Sequence, residues 1–231
     1  MGWRGLGSRG YNTGVTIPHP PEDARIALKA LLANDPALGA VEAAAGPLPW
    51  RVRPAGFPGL LQSIVGQQIS NQAAAAIWGR VHALPGALEP SGLLGLTDEM
   101  LRLAGLSRPK IVHARALAEA FLDGRLDPAA IARMDDEAAI TTIAGVRGLG
   151  RWTAEIYLLF SLGRQDVFPA GDLALSASAA HLHGLPARPN PSVLRAMAER
   201  WRPARGLAAR LLWHHWRFVT GRPAMDDFPA V

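Results

Sequence analysis

The stretch "GLGRWTAEIYLLFSLGRQDVFPAGDLAL", residues 148–175, decides how the whole chain reads. Two glycines flank an apolar residue, a tryptophan follows two positions later, an apolar run of helix length comes next, and one aspartate stands behind Pro-Ala-Gly. Extended upstream to "DEAAITTIAGVRGLGRWTAEIYLLFSLG", the pattern is helix, six-residue connection, helix, with Gly145, Gly148 and Gly150 in the connection. Glycine at such points implies positive φ or close backbone approach. A helix beginning near Gly150 directs unpaired backbone N–H groups outward, and such an end binds a phosphate without help from a cationic side chain. An ordinary tight turn between two helices would look the same from the glycines alone.

Working outward, the rest of the chain is punctuated as helices. "PPEDARIALKALLAND" starts with prolines and acids, places Ala24, Leu28, Leu31 and Leu32 at helical spacing, and stops at Asn34-Asp35-Pro36. "GFPGLLQSIVGQQISNQAAAAIWGRVHAL" is one long helix or two joined near Gly66 to Ser70. Further helices start at caps on Thr97, Ser107, Asp127, Asp135 or Asp136, and Asn190, and the last runs over about residues 204–220. Nothing alternates with period two for long, so the fold class expected is all-α. The expected arrangement is a two-lobed helical bundle with a cleft between lobes. A central lobe spans 56–164 and contains the helix-hairpin-helix at about 135–163; residues 16–55 together with 165–231 form the second; residues 1–15 are a loose arm.

Composition narrows the chemistry. Hydrophobic residues make up 49% and charged residues 19% of the 231, which fits a globular protein. No apolar run reaches the ~18 residues that span a bilayer and no secretory signal opens the chain, so a cytoplasmic, non-membrane protein is expected, nucleoid-associated in a bacterium. Zero cysteines exclude disulfides, thiol nucleophiles and cysteine-held metals. The net charge of +5 fits an anionic partner. Lysine is confined to Lys29 and Lys110, and from Gly184 onward Arg188, Arg195, Arg200, Arg202, Arg205, Arg210, Arg217 and Arg222 face only three acids, which marks that segment as a phosphate-facing surface. The histidine pairs 181/183 and 214/215 diverge around a helix and read as surface residues, not metal ligands.

With these motifs in place, "GVRGLGRWTAEIYLLFSLGRQDVFPAGDLAL" resembles the signature of the helix-hairpin-helix DNA glycosylases, in particular the 3-methyladenine DNA glycosylase II family. "SIVGQQIS" (63–70) and "GLSRPKIVHARALA" (105–118) resemble two further family blocks. The resemblance implies a monofunctional enzyme of base excision repair that flips an alkylated base out of double-stranded DNA. It implies the compact helical form, without the N-terminal sheet domain of longer members, acting as a monomer. Asp172 matches the catalytic carboxylate, Trp152 and Trp213 the base pocket, and Gly148, Leu149, Gly150, Arg151 and Thr153 the DNA-binding hairpin. Gln68 falls at the position that wedges into the gap left by the flipped base, while by residue type it reads equally as an amide tying two helices together. No organic cofactor is implied, and carbonyls of Ala144, Val146 and Leu149 match those that hold a monovalent Na or K ion in relatives.

The chemistry suits these residue types. Breaking an N-glycosidic bond builds positive charge on the sugar, which one dry carboxylate stabilises or turns toward water. An alkylated purine is already cationic and leaves without a general acid, so one aspartate suffices. Indole faces attract such a cation by ~0.5–2 kcal/mol. Trp152 stands where bifunctional relatives carry a Schiff-base lysine, and an indole cannot form that adduct. Ile156 occupies a position where relatives place a tyrosine, so one pocket aromatic is lost or moved. Asp172 also reads as a helix N-cap, a role compatible with catalysis. The competing function is a non-catalytic helix-hairpin-helix module that grips DNA only.

Overall fold

The computed structural model describes residues 16–17 and 19–221, so the arm at 1–15 and Arg222 lie outside the described residues. The elements run in chain order as β1 (Thr16–Ile17), α1 (Glu22–Asn34), α2 (Pro36–Ala45), β2 (Trp50–Arg51), α3 (Gly56–Gly66) and α4 (Asn71–His82). They continue with α5 (Pro90–Gly95), α6 (Asp98–Leu103), α7 (Arg108–Leu122), α8 (Pro128–Arg133), α9 (Asp136–Ala144) and α10 (Arg151–Phe160). After a long loop come α11 (Leu173–Leu182), α12 (Pro191–Ala198), a 3₁₀ turn (Glu199–Trp201) and α13 (Arg205–Thr220). The all-α expectation is met but for one two-residue antiparallel ladder, Thr16 opposite Arg51 and Ile17 opposite Trp50.

Capping chemistry explains most boundaries. Ser70, Thr97, Asp127, Asp135 and Asn190 each accept a backbone N–H from the first turn they precede. Ser107 precedes its helix without a side-chain cap. Asp35 both stops α1 and caps α2, its Oδ1 accepting from Ala37 and Leu38. Its Oδ2 accepts the indole N–H of Trp201 at 2.8 Å. The 56–82 segment is two helices, because the chain leaves the helical region at Gln67 and enters the left-handed one at Gln68, φ 57°.

Buried side chains gather in two principal cores. One runs from Phe57 to Val167 and is built by α3 through α10. The other joins α1, α2 and β2 to everything from Phe168 to Leu212, with α13 at its centre against α11 and α2. Helix α10 is buried on every side from Thr153 to Phe160, Glu155 included. Ala154, Tyr157 and Leu158 enter the first core, while Ile156, Leu159 and Phe160 form a third cluster with Trp152 and Trp213. Arg210 links α13 to α10 and β2 from within: its guanidinium donates to the carbonyls of Leu159 (3.0 Å) and Arg51 (2.9 Å) and lies 4.2 Å from the Phe160 ring and 4.3 Å from that of Trp50.

This packing corrects two readings. The arginine-rich segment is not a uniform phosphate-facing surface: Arg210 is buried, and Arg202 and Arg205 are both paired with Asp166 and Glu199. Of the four histidines read as surface residues, His181 is exposed as expected, whereas His183 and His214 are half-buried and His215 is buried. His181 and His215 share a 3.0 Å ring-to-ring hydrogen bond between α11 and α13, His214 bonds the Gly46 carbonyl, and His183 lies 4.0 Å from Asp35. Residues two apart on one helix and adjacent on another still meet when the two helices pack side by side. Among the described residues, no cluster of histidine and acid side chains could hold a metal ion, and no helix is long and apolar enough to cross a membrane.

Candidate active site

The connection between α9 and α10 is the six residues 145–150. Of its three glycines only Gly148 needs to be one, with φ 93° and a position where a Cβ would lie 2.3 Å from the His113 ring on α7. Gly145 and Gly150 have ordinary negative φ, and Gly150 faces open space. Leu149 and Val146 turn inward and anchor the turn in the first core. No side chain caps α10, and the first backbone N–H in it to find a carbonyl is that of Ala154, on Gly150. The N–H groups before it therefore stay available to an external acceptor.

The hairpin side chains contribute less than the sequence implied. Thr153 is buried, so only its backbone is left for an external ligand. Arg151 makes a bidentate pair with Glu137 on α9 (2.6 and 2.8 Å) and bonds Glu155 at 2.9 Å, clamping the two hairpin helices together. Burial pushes the Glu155 carboxyl up, against the pull of the Arg151 guanidinium. The carbonyls of Ala144 and Leu149 accept no hydrogen bond among the described residues, whereas that of Val146 takes the Leu149 N–H.

Asp172 is the N-cap of α11 and is 8% exposed. Its Oδ1 accepts from Ala174 N (2.8 Å), Leu175 N (3.0 Å) and the Trp213 indole N–H (3.2 Å). Its Oδ2 accepts only the Trp152 indole N–H, at 2.9 Å. A carboxylate offers about four acceptor sites, so Oδ2 is the oxygen with capacity to spare. Trp152 is the second residue of the helix that follows the hairpin, which puts the carboxylate at the hairpin's foot. The three residues singled out as catalytic and pocket groups thus form one hydrogen-bonded set, brought together from α10, α11 and α13.

Beside this set opens a cavity of about 880 Å³, solvent mouth included. Two partners of Asp172, Trp213 and Ala174, line it, as do Ile156, Phe160, Trp216 and Arg217. Asp172 and Trp152 are not among its lining residues; they adjoin it through Trp213, which bonds the carboxylate and packs with Trp152 in one cluster. Tyr157 faces away, its hydroxyl accepting the Gly56 N–H at 2.9 Å within the first core. The aromatic surface missing at Ile156 is supplied one turn later by Phe160, whose ring centroid is 5.7 Å from that of Trp213. Trp216 also lines the cavity, since it lies three residues after Trp213 on the same face of α13.

Gln68 is exposed in the turn between α3 and α4 and bonds nothing among the described residues. Its neighbour Gln67 supplies the interhelical tie, donating to the Gly148 carbonyl at 2.8 Å.

A glycine hairpin that offers backbone N–H groups, followed at its foot by a lone carboxylate between two indoles, defines a helix-hairpin-helix protein with an enzyme-like site. The sequence model of the HhH-GPD superfamily base excision DNA repair proteins matches residues 61–203, and the chain belongs to that superfamily. It is 33% identical over 158 residues to the DNA-3-methyladenine glycosylase 1 of Schizosaccharomyces pombe, covering 67% of this chain and 69% of the yeast protein. The crystal structure of a DNA-3-methyladenine glycosidase from Bacillus halodurans superposes with a TM-score of 0.74 at 32% identity, over 91% of this chain and 95% of that one. The S. pombe 3-methyladenine DNA glycosylase in complex with abasic DNA superposes at 0.69 with 29% identity, over 84% and 95%.

Proposed function

We propose that the protein is a monofunctional DNA glycosylase that excises alkylated, cationic purines such as 3-methyladenine from double-stranded DNA. The observation that carries this reading is the Asp172 carboxylate, bonded by Trp152 of the hairpin's second helix and by Trp213, which lines an aromatic cavity. A non-catalytic DNA-binding module would have no use for a carboxylate oxygen with a spare acceptor site beside an aromatic cavity. The relatives named as 3-methyladenine glycosylases support the same substrate class.

In this reading the hairpin N–H groups of Gly150, Arg151 and Trp152 take a DNA phosphate, Gln68 enters the stack, and the flipped base lodges between Trp213 and the Ile156–Phe160 wall. The jaws are the two lobes, 56–164 on one side and 16–55 with 165–231 on the other. As the bond to the departing base lengthens, charge grows on the sugar and the Oδ2 lone pair faces it. Water then adds at the sugar carbon, and the same oxygen is placed to take its proton. The free carbonyls of Ala144 and Leu149 suit a Na or K ion shared with the phosphate. The protein acts where the cell's DNA is, in the cytoplasm at the nucleoid if the cell is bacterial.

Among the described residues no amine bonds the carboxylate, and Lys110 is engaged elsewhere, donating to the Val65 carbonyl at 2.8 Å. Two measurements test the proposal. Chromatography of methylated duplex DNA digests should show free 3-methyladenine released; no release would defeat the glycosylase reading. Borohydride added during turnover should trap no protein–DNA adduct, and a trapped adduct would overturn the absence of lyase chemistry.

A further inference from the structure

The turn between α3 and α4 is tied to the hairpin by a side chain with no part in the chemistry above. Gln67 donates its amide to the carbonyl of Gly148, a residue 81 positions away, at 2.8 Å. Gly148 is itself pressed against α7, where the His113 ring fills the space a Cβ would take. Helix α7 also holds the other side of the turn, because Lys110 donates to the Val65 carbonyl in the last turn of α3. Gln68, the next residue after Gln67, has its side chain in solvent and its backbone left-handed at φ 57°. A glutamine keeps that conformation only where its surroundings impose it, and such points cluster at functional turns.

We propose that Gln67 is a positioning residue that couples the hairpin's grip on the DNA backbone to insertion of Gln68 into the base stack. The inference rests on the wedge reading of Gln68. The same glycine whose carbonyl receives Gln67 lies two residues before Gly150, where the phosphate-facing N–H groups begin. A phosphate seated on the hairpin is thereby held at a fixed distance from the wedge, and flipping is favoured wherever the backbone is gripped. Gln67 touches neither base nor sugar, so it acts through its neighbour.

The test uses the full chain, Gln67→Met and Gln67→Glu, neither of which can donate to the Gly148 carbonyl, and Gln68→Ala as a reference. Affinity is measured for an undamaged duplex and for one with a tetrahydrofuran abasic site flanked by 2-aminopurine, whose fluorescence reports local unstacking. Thermal melts check that each variant is folded. For both Gln67 variants the undamaged-duplex Kd should stay within about twofold of wild type. Their preference for the abasic duplex should drop about two- to tenfold, the span of one net hydrogen bond, with a smaller 2-aminopurine signal. A merely structural tie would weaken both duplexes alike or neither. If Gln68→Ala loses the preference while Gln67→Met and Gln67→Glu keep it, the coupling inference is wrong. If Gln68→Ala keeps it, the wedge reading fails first.

Discussion

Replacing Asp172 by Asn separates the two tasks of that side chain. Its Oδ1 serves three donors, Ala174 N, Leu175 N and the Trp213 indole, while Oδ2 serves the Trp152 indole alone. An asparagine has one acceptor oxygen, which belongs on the three-donor side. Its NH₂ group is then turned toward the Trp152 N–H, donor against donor. One charge-assisted hydrogen bond is lost and a half-buried donor is stranded, which costs about 1.5–3 kcal/mol. At this chain length each kcal/mol lowers Tm by about 2–4 °C, so the variant should stay folded and melt about 3–12 °C lower. Base release should drop at least about a hundredfold, because a neutral amide does not face the growing sugar charge as a carboxylate does. Trp152→Phe removes the opposing N–H. Urea unfolding of both single variants and the double should therefore give a double less destabilised than the sum of the singles, by about 1 kcal/mol or more. Wild-type release rates in the Asn variant, measured by chromatography, would remove Asp172 from the mechanism. Additivity within about 0.5 kcal/mol would refute the hydrogen-bond geometry instead.

Arg151→Met should destabilise the hairpin by about 1–3 kcal/mol at pH 8, less than a fully buried broken pair because its guanidinium is 46% exposed. Glu155 binds a proton more readily folded than unfolded, so stability falls as pH rises above its ordinary 4.5. The loss in Arg151→Met should accordingly shrink at pH 5, and a loss equal at both pH values in urea titrations would contradict this. Gly148→Ala forces a methyl into the His113 ring at positive φ, and calorimetry should show at least about 1–3 kcal/mol of destabilisation with weaker binding of undamaged duplex. His113→Ala should restore only part, since the backbone strain persists. Burial, with His181, His183 and His214 nearby, holds the His215 imidazole below 6.5. The folded state thus binds fewer protons than the unfolded chain as pH drops through 6.5, and stability falls. His215→Gln should flatten that slope by up to about 1.4 kcal/mol per pH unit, read from urea midpoints at pH 7.5 and 5.5.

What the sequence disclosed was whatever residue type alone dictates. Gly148 is legible because only glycine tolerates its φ, and the caps at Thr97, Asp127 and Asn190 are legible because short polar side chains at those points satisfy open N–H groups. Asp172 and Trp152 are legible only through the resemblance of the hairpin-to-aspartate stretch to the helix-hairpin-helix glycosylases. What stayed hidden was orientation. Nothing in the order of residues says that both indoles would turn their N–H edges, not only their faces, to the carboxylate. Phe160 and Trp216 sit at spacings that pack equally well into a core, and only the fold makes them cavity walls. Arg202, Arg205 and Arg210 count as charge in a sequence, but the fold pairs the first two with Asp166 and Glu199 and turns the third inward onto the carbonyls of Leu159 and Arg51. Gln67 and Gln68 differ in role though identical in kind, because one points at a carbonyl 81 residues away and the other at solvent.

The second core holds a near copy of the Asp172 arrangement. Asp35 caps α2 with one oxygen and takes the indole N–H of Trp201 with the other. Burial pushes its carboxyl up, yet Trp201, the capping N–H groups and His183 hold it below the usual range. The two acids are equally buried, 7% and 8% exposed, but no partner of Asp35 lines the cavity, whereas Trp213 and Ala174 beside Asp172 do. An acid clasped by a cap and an indole is thus ordinary scaffolding, and what sets Asp172 apart is the cavity next to it. Opening a void beside Asp35 would be a route to installing a second anionic pocket in a frame already built to carry one.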